Sequence, residues 1–320
     1  MRIAVLRGGR SSEHEVSLRS GAAVAAGLRE AGHETVEILI ERDGRWSVDG
    51  DAVTLTPGGG VLDCDAAFPV LHGPGGEDGS VQGVLEVLDV PYVGSDVEAS
   101  ALCLDKLAFK RLLAAHALPQ VDFCEARADG WRERAEAMGW PLWVKPARLG
   151  SSVGITKVES PDGLDAAVAA AERHDPKVII EAGAGGKEVE CSILGHSELI
   201  ASIPGEIVAH ADWYDYEAKY EEGGMELVIP AGVSESARGR VQELAKTIFR
   251  ACGCSGLARC DFFVEGDDVL VNELNTIPGF TETSVYGKLL EASGIGYAEL
   301  CDRLVELALE KHREARSYEF

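Results

Sequence analysis

The sequence predicts an α/β fold that changes to α+β in its C-terminal part. Over residues 1–95, strand-like apolar runs alternate with a helix-like segment, and such alternation is typical of a parallel sheet. Near 187–194 and 198–203, two strand-like runs follow each other directly, which favours antiparallel pairing. At 320 residues, the chain has the length of two or three ordinary domains.

Residues 1–95 are predicted to form the first domain, around a parallel sheet. Its helix is expected to end near Gly32, because glycine readily takes the left-handed conformation that follows a helix. The predicted elements are, in order, a buried strand at 3–6, a helix from about Ser17, strands at 34–40 and 66–71, and a glycine-rich loop at 72–79.

Residues 96–183 are predicted to form a central domain. One long helix is expected over 99–117, since leucines recur along it and Pro119 follows it. Ser160 and Pro161 predict the start of another helix, as an N-cap and its first residue. The other predicted elements are a strand at 142–145, a glycine- and serine-rich loop at 146–154, and a buried strand at 178–181 that breaks at 182–186.

Residues 184–320 are predicted to form the C-terminal domain. Ser234 is expected to cap a helix that ends at Gly253. Besides the two strands near 187–203, the predicted elements are a tyrosine- and acid-rich loop at 204–226, a hairpin at 259–275 and a C-terminal helix after Tyr297.

Composition limits the classes of partner. The formal net charge of -24 argues against nucleic acid or an anionic membrane as a partner. No apolar run approaches the roughly 18 residues that span a bilayer, and the first residues lack the apolar core of a signal peptide. The eight cysteines follow no disulfide or zinc-binding pattern, which favours reduced thiols and predicts a cytoplasmic protein.

The hairpin at 259–275 carries the most specific chemical signal. Residues two apart on a strand share a face, and if partner numbers sum to about 534, Asp261 lies opposite Glu273. With Asn275, two acids and an amide then converge, and such hard oxygen ligands suit Mg²⁺ that is partly held by phosphates. The structural alternative is a solvated hairpin, but the acids alternate with apolar residues rather than clustering in the turn.

Glycine-rich loops accompany the hairpin. The loop at 150–154 offers backbone N–H groups that can cover phosphates, and Lys145 ends the strand before it. The sequence contains no P-loop motif, and the segment after the first strand lacks the complete glycine fingerprint of a dinucleotide oxidoreductase. The combination indicates phosphoryl transfer, in which catalysis is mostly positioning and charge neutralisation.

Six motifs follow each other over essentially the whole chain. They are GGxSxExEVS at 8–17, HGxxGEDG at 72–79, DK at 105–106, KPxxxGSSVG at 145–154, YDYExKY at 214–220, and RxD at 259–261 through NTxPG at 275–279. In this order and spacing they resemble the motifs of the D-alanine–D-alanine ligases, members of the ATP-grasp superfamily. The resemblance implies a three-domain ATP-grasp architecture, with ATP clamped between the central and C-terminal domains, and a homodimer.

The resemblance also implies the ligands of the nucleotide. Lys106 and Lys145 would contact the α- and β-phosphates, Glu181 the adenine amino group, Glu188 the ribose hydroxyls, and Lys219 the γ-phosphate, while Asp261, Glu273 and Asn275 would hold two Mg²⁺ ions, for which Mn²⁺ can substitute.

The implied reaction joins two D-alanines for peptidoglycan precursors. The carboxylate of the first D-alanine attacks the γ-phosphate to form an acyl phosphate, and the amine of the second attacks that carbonyl. Glu13 would bind the ammonium of the first amino acid, with His72 nearby, Ser284 the carboxylate of the second, and Arg259 and the Gly279 backbone N–H the oxyanion.

Ser151 and Tyr220 are implied to hydrogen-bond with Glu13 and thereby to tie the loop at 204–226 over the site. A closed loop keeps water from the acyl phosphate. The presence of Tyr220 favours an amine over D-lactate as the acceptor.

Two departures from the family pattern concern the acceptor loop. Val285 replaces a larger residue, and Gly287, which stands where proline is common, is expected to loosen the loop. These changes support one alternative, a related ligase that uses D-serine or another second substrate. A second alternative is a non-catalytic nucleotide-binding paralogue, which would be expected to lack a metal ligand or an oxyanion donor.

Overall fold

The computed structural model, which describes residues 1–150, 153–209 and 225–318, begins with a five-stranded sheet. Its elements are β1 (Arg2–Gly8), α1 (His14–Glu30), β2 (Glu34–Ile40), β3 (Trp46–Val48), β4 (Asp51–Ala52), β5 (Ala66–Pro69) and α2 (Ser80–Val87). The strand order is β4-β3-β2-β1-β5. Strand β1 runs parallel to both β2 and β5, which confirms the predicted parallel sheet, whereas β3 and β4 form an antiparallel edge.

Helix α1 begins earlier than predicted. Ser17 lies inside the helix, where its hydroxyl accepts a hydrogen bond from Gly8 N–H at 2.8 Å and donates one to the Val70 carbonyl. The side chain therefore joins α1 to the ends of two strands rather than capping the helix. At the other end, Gly32 has a φ of +88°, as the sequence predicts.

The prediction of one long helix over 99–117 is wrong, because the structure has two helices there. They are α3 (Val97–Leu104) and α4 (Lys106–Ala115). Asp105 between them has an extended backbone, and its carboxylate accepts a hydrogen bond from Ala108 N–H at 3.1 Å. An aspartate in this conformation caps a new helix, and the break makes Lys106 the first residue of α4.

A four-stranded antiparallel sheet follows. Its elements are β6 (Phe123–Glu125), α5 (Trp131–Ala137), β7 (Leu142–Pro146), β8 (Thr156–Val158), α6 (Leu164–Glu172) and β9 (Val178–Ala182), with strand order β6-β9-β7-β8. At the predicted helix start, Ser160 precedes a 3₁₀ turn at Pro161–Gly163, and α6 continues from that turn.

The third sheet has six antiparallel strands. Its elements are β10 (Lys187–Gly195), β11 (Leu199–Ala201), β12 (Gly205–Ala209), β13 (Met225–Val228), α7 (Glu235–Ala251), β14 (Gly256–Glu265), β15 (Asp268–Asn275), α8 (Val285–Ala292) and α9 (Tyr297–Ala315). The order is β13-β12-β10-β14-β15, with β11 paired to β10. Ser234 caps α7 as predicted, because its hydroxyl accepts a hydrogen bond from Ala237 N–H at 3.0 Å.

The hydrophobic cores join segments that are distant in sequence. Phe109 and Leu113 of α4 pack into the core of the third sheet with α7. Leu300 and Leu304 of α9 pack with Leu28 of α1 in the core of the first sheet. Leu107 of α4 also packs with Ile179 of β9, so α4 contacts both the second and the third sheet. In the described part of the chain, no helix has both the length and the apolar character needed to cross a membrane.

Candidate active site

A cavity of about 680 Å³ is lined by residues from each of the three predicted domains, 1–95, 96–183 and 184–320. Helix α1, strands β7 and β9, the hairpin β14–β15 and the start of α8 all contribute to its wall. The predicted site residues that line it are Lys106, Lys145, Glu181, Glu188, Arg259, Asp261, Glu273, Gly279 and Ser284. Residues from widely separated motifs therefore share one space.

Three predicted site residues that the structure describes, Glu13, His72 and Asn275, are not among those that line the cavity. Glu13 directly precedes α1 and Asn275 ends β15, two elements that border it, and His72 contacts Ser20 of its wall. Ser151, Lys219 and Tyr220 lie outside the described residues, as do residues 210–224 of the predicted loop at 204–226. The two ends of that prediction are wrong, because 205–209 form β12 and β13 begins at Met225.

The register of the β14–β15 hairpin is the one predicted from the sequence. Asp261 pairs with Glu273, and Arg259 pairs with Asn275. After Asp261 the register shifts by one residue, since Phe262 pairs with Val271. Such a bulge turns side chains locally, and it brings Asn272 into the cavity wall beside Glu273.

Arg259 is held between two carboxylates. Its guanidinium donates to both oxygens of Asp261, each at 2.8 Å, and its Nε lies 3.0 Å from Glu190 Oε2. Burial alone would lower the pKa of Arg259, but Asp261 and Glu190 raise it well above its ordinary value. Glu190 was not among the predicted site residues, although it stands two residues after Glu188 on the same strand face.

The hairpin residues suit a hard metal ion that shares its oxygens with a ligand. Asp261 and Glu273 face each other, and Asn275 Oδ1 accepts a hydrogen bond from Ile277 N–H at 3.0 Å. Within the described residues, no three His, Cys, Asp or Glu side chains gather closely enough to hold an ion by themselves. This donor set fits Mg²⁺, which is typically bound by one or two carboxylates plus phosphates and water.

Glu181 lies between two lysines at the opposite wall. Its carboxylate is 2.6 Å from Lys145 Nζ and 2.9 Å from Lys110 Nζ. Burial alone would raise the pKa of Glu181, but Lys145 and Lys110 lower it to about 2. Lys106, which starts α4, lies 3.3 Å from Glu273 and donates to the Leu149 carbonyl at 3.0 Å. Lys110 was not among the predicted site residues, although it stands four residues after Lys106 on the same helix face.

The end of the cavity near Glu181 is apolar. Trp143 shares a face of β7 with Lys145, and Phe263 faces the same space from β14. Ala182 lines this wall with a small side chain. Gly183 packs closely against Pro141, because a Cβ at position 183 would lie 2.9 Å from the Pro141 carbonyl. A flat aromatic ring fits between such surfaces.

Glu13 marks the other end of the site. Its Oε2 lies only 2.7 Å from the position that a Cβ on Gly73 would take, and Gly73 has a φ of +75°. A side chain at position 73 would therefore both strain the backbone and displace Glu13.

His72 connects this loop to the loop after β15. Its Nδ1 lies 3.0 Å from the Ile277 carbonyl and its Nε2 lies 3.2 Å from Ser20 Oγ. Burial alone would lower the pKa of His72, but the nearby Glu77 carboxylate raises it. The ring thus holds two walls of the site together.

Ser284 precedes α8 at the edge of the cavity. Its Oγ accepts a hydrogen bond from Thr281 N–H at 3.0 Å. The N-terminus of α8, which begins at Val285, presents backbone N–H groups at this wall, and such a terminus favours an anion. Gly287 lies in the first turn of α8, where a Cβ would lie 3.3 Å from the Thr281 carbonyl, and its effect on the mobility of the loop stays a prediction. Glycine lets the loop and helix approach closely.

The chain matches two family models that together cover most of its length. The model described as D-ala D-ala ligase N-terminus matches residues 2–57 and 55–95, and the model described as D-ala D-ala ligase C-terminus matches residues 112–306.

Individual proteins show the same similarity. A D-alanine--D-alanine ligase of Solibacter usitatus is 42% identical, with 100% of this chain and 99% of the relative covered. The structure of the D-alanine-D-alanine ligase from Coxiella burnetii aligns with a TM-score of 0.89 at 36% identity, covering 99% of this chain and 96% of that one. The structure of VanG D-Ala:D-Ser ligase from Enterococcus faecalis aligns with a TM-score of 0.86 at 34% identity, covering 96% of this chain and 99% of that one.

Proposed function

The chain belongs to the D-alanine–D-alanine ligase family, and we propose that it joins two D-alanines to D-alanyl-D-alanine with ATP. The dipeptide serves peptidoglycan precursor synthesis. The observation that carries this proposal is the convergence of Lys145, Arg259 and Ser284 on one cavity. Lys145 and Arg259 belong to two separate family-like motifs and Ser284 to the loop that follows the second of them, and each supplies a charge or donor that the reaction needs.

ATP would occupy the cavity with its base between Trp143 and Phe263. Glu181 would accept a hydrogen bond from the adenine amino group, and Glu188 would accept from the ribose. The triphosphate would then extend toward the hairpin, past the ammonium groups of Lys145 and Lys106, which act as point charges. Lys219 is proposed to contact the γ-phosphate.

Asp261, Glu273 and Asn275 would hold two Mg²⁺ ions, or Mn²⁺, together with phosphate oxygens. When bound, such ions neutralise charge on the β- and γ-phosphates. The hard oxygen donors on one hairpin face support this assignment.

The proposed reaction has two steps, formation of an acyl phosphate and attack on it by an amine. A carboxylate oxygen of the first D-alanine bonds to the γ-phosphorus as its bond to ADP breaks. The amine of the second D-alanine then bonds to the acyl carbon, loses a proton, and inorganic phosphate leaves with the C–O bond pair. Arg259 and the Gly279 N–H are proposed to stabilise the tetrahedral oxyanion between these events.

The two amino acids would bind at opposite sides of the reacting carbon. Glu13 is proposed to hold the ammonium of the first D-alanine, near His72. Ser284 and the N-terminus of α8 are proposed to hold the carboxylate of the second, because that helix end favours negative charge. Ser151 and Tyr220 are proposed to tie the segment 210–224, between β12 and β13, over both.

A related ligase with a different second substrate is the alternative. Its support is the departure of the acceptor loop from the family pattern at Val285, which lines the cavity beside Ser284, although valine in place of a basic residue argues against D-serine itself. A non-catalytic paralogue is less well supported, since Arg259, Asp261 and Glu273 are all present at the cavity.

We further propose a cytoplasmic location and a homodimer. All eight cysteines are free thiols, as expected in a reducing compartment. The three segments 1–95, 96–183 and 184–320 are proposed as domains, with the cavity between them. Light scattering at assay concentration measures the oligomeric state.

The test is product analysis with purified protein, ATP and Mg²⁺. Dipeptides are identified by mass after incubation with D-alanine alone, L-alanine alone, D-alanine plus D-serine, and D-alanine plus D-lactate. D-alanyl-D-alanine from D-alanine alone supports the proposal. Product only from a mixed pair supports the alternative, and no phosphate release with any substrate supports the paralogue.

A further inference from the structure

Lys110 is a buried lysine to which the reaction described above gives no role. Its side chain is 1% exposed, and its Nζ lies 2.9 Å from Glu181 Oε1. The other carboxylate oxygen of Glu181 lies 2.6 Å from Lys145 Nζ. The three groups therefore form a cluster in which one carboxylate bridges two ammonium groups.

The elements that hold this cluster are firmly placed. Lys110 lies on α4, and its backbone carbonyl accepts a hydrogen bond from Gln120 Nε2 at 2.9 Å. Its ammonium also lies 6.0 Å from the centre of the Phe123 ring, on β6. Glu181 on β9 pairs with both Phe123 and Trp143. The cluster is thus fixed by one helix and three adjacent strands.

The charges of the cluster decide what Lys145 can offer a ligand. If Glu181 had only Lys145 as a partner, the pair would be neutral, and its attraction for a phosphate would be small. With Lys110 as a second partner, the cluster keeps one positive charge. Lys145 is the member that lines the cavity together with Glu181, whereas Lys110 lies behind them.

In the described part of the chain, Lys106 is the other lysine that lines the cavity besides Lys145. Lys106, one turn before Lys110 on α4, lies 3.3 Å from Glu273 and is paired with that acid alone among the ion pairs of the described residues. Lys145 differs from Lys106 in that its acid, Glu181, is shared with a second lysine, Lys110.

We propose that Lys110 is a positioning residue that neutralises Glu181, so that Lys145 keeps its full charge for the phosphates of the nucleotide. This inference rests on the proposed function in that it takes the ligand to be ATP. It also makes Lys110 act through Glu181 and Lys145, without touching the ligand.

The test compares Lys110→Met, which removes the charge at similar length, with Lys110→Arg, which keeps it. The matched control is Lys157→Met, on β8 of the same sheet, where an exposed lysine pairs with Glu159. Binding of ADP with Mg²⁺ is measured by calorimetry, KM and kcat by phosphate release, and folding by thermal unfolding. Adenosine, which has the base and ribose but no phosphate, is measured as a competitive inhibitor of ATP.

Lys110→Met is expected to weaken ADP binding and raise KM for ATP by about tenfold, as loss of a unit charge near a phosphate should. The values of kcat, KM for D-alanine and the inhibition constant of adenosine should change less than about threefold. Lys110→Arg should restore most of the ADP affinity, and Lys157→Met should match wild type.

Equal weakening of ADP and adenosine would overturn the inference, because it would show that Lys110 shapes the base pocket. Unchanged ADP affinity in a folded Lys110→Met protein would overturn it as well. Calorimetry of ADP does not depend on ligation, so failure of the proposed function would appear separately, as a wild-type protein that binds ADP and makes no dipeptide.

Discussion

Asp261 lies directly opposite Glu273 across strands β14 and β15. The Arg259 guanidinium donates hydrogen bonds to both carboxylate oxygens of Asp261, and the Lys106 ammonium lies near the carboxylate of Glu273. Each acid that is proposed to bind a metal thus has a cation beside it. The positive charges offset the electrostatic repulsion between the two facing carboxylates.

Glu273→Gln should abolish ATP-dependent phosphate release while leaving a folded protein. The substitution keeps the size of the side chain and removes the negative charge that a divalent ion needs. The control is Glu265→Gln at the exposed end of the same hairpin, where Glu265 pairs with Asp268. Phosphate release near the wild-type rate from Glu273→Gln would refute the metal assignment.

Gly73→Ala should raise KM for D-alanine, and Gly75→Ala should not. Both glycines have a positive φ, so each alanine should cost about 1 kcal/mol of stability. A Cβ at 73 would lie 2.7 Å from Glu13 Oε2, whereas nothing lies within 4 Å of one at 75. Steady-state kinetics and thermal unfolding separate the two effects. Equal KM values in the two variants would count against Glu13 as the ammonium site.

Ser284→Ala should raise KM for the second D-alanine by about tenfold, as expected for one lost hydrogen bond to a charged group. Ser293→Ala at the other end of α8 is the control. Its hydroxyl accepts from Ile203 N–H at 2.9 Å and donates to the Leu289 carbonyl at 2.6 Å, far from the reacting groups. If both variants change KM equally, Ser284 acts through the helix and not through the substrate.

The ion pairs of Glu181 predict an acid-dependent loss of stability. Its pKa is lowered from 4.5 to about 2, so the contribution is fully present above pH 4.5 and is lost as the pH falls toward 2. The loss is of order a few kcal/mol at about 1.4 kcal/mol per pKa unit. Urea unfolding of wild type and Glu181→Gln at pH 7 and near pH 3 measures it.

The stability difference between the two proteins should narrow at the lower pH. Glu30→Gln, at the exposed end of α1, provides a control for general acid effects. A difference between wild type and Glu181→Gln that stays constant with pH would mean that Glu181 is not held ionised by its lysines.

Local patterns in the sequence predicted local geometry well. The hairpin register followed from polar residues that alternate with apolar ones, and the Ser234 cap and the Gly32 helix end followed from the backbone preferences of single residues. These features depend on neighbours in the chain, which the sequence displays directly.

Features that depend on tertiary contacts were missed. The break between α3 and α4 is a miss of another kind, because its signal is local: the Asp105 carboxylate caps α4 by accepting from Ala108 N–H, three residues on. Lys110 and Glu190 were missed because their ion-pair partners lie on other elements of the fold. The neighbouring residues in the sequence do not indicate which groups those partners are. The roles of Ser151, Lys219 and Tyr220 stay predictions.

The most direct test of the account is the fate of the carboxylate oxygens of D-alanine. D-alanine carrying ¹⁸O in both carboxylate oxygens is incubated with the protein, ATP and Mg²⁺, and the released phosphate is analysed by mass spectrometry. Attack of the carboxylate on the γ-phosphate predicts one ¹⁸O in each phosphate released with a dipeptide. Unlabelled phosphate accompanying the dipeptide would contradict the acyl phosphate and the site built around it.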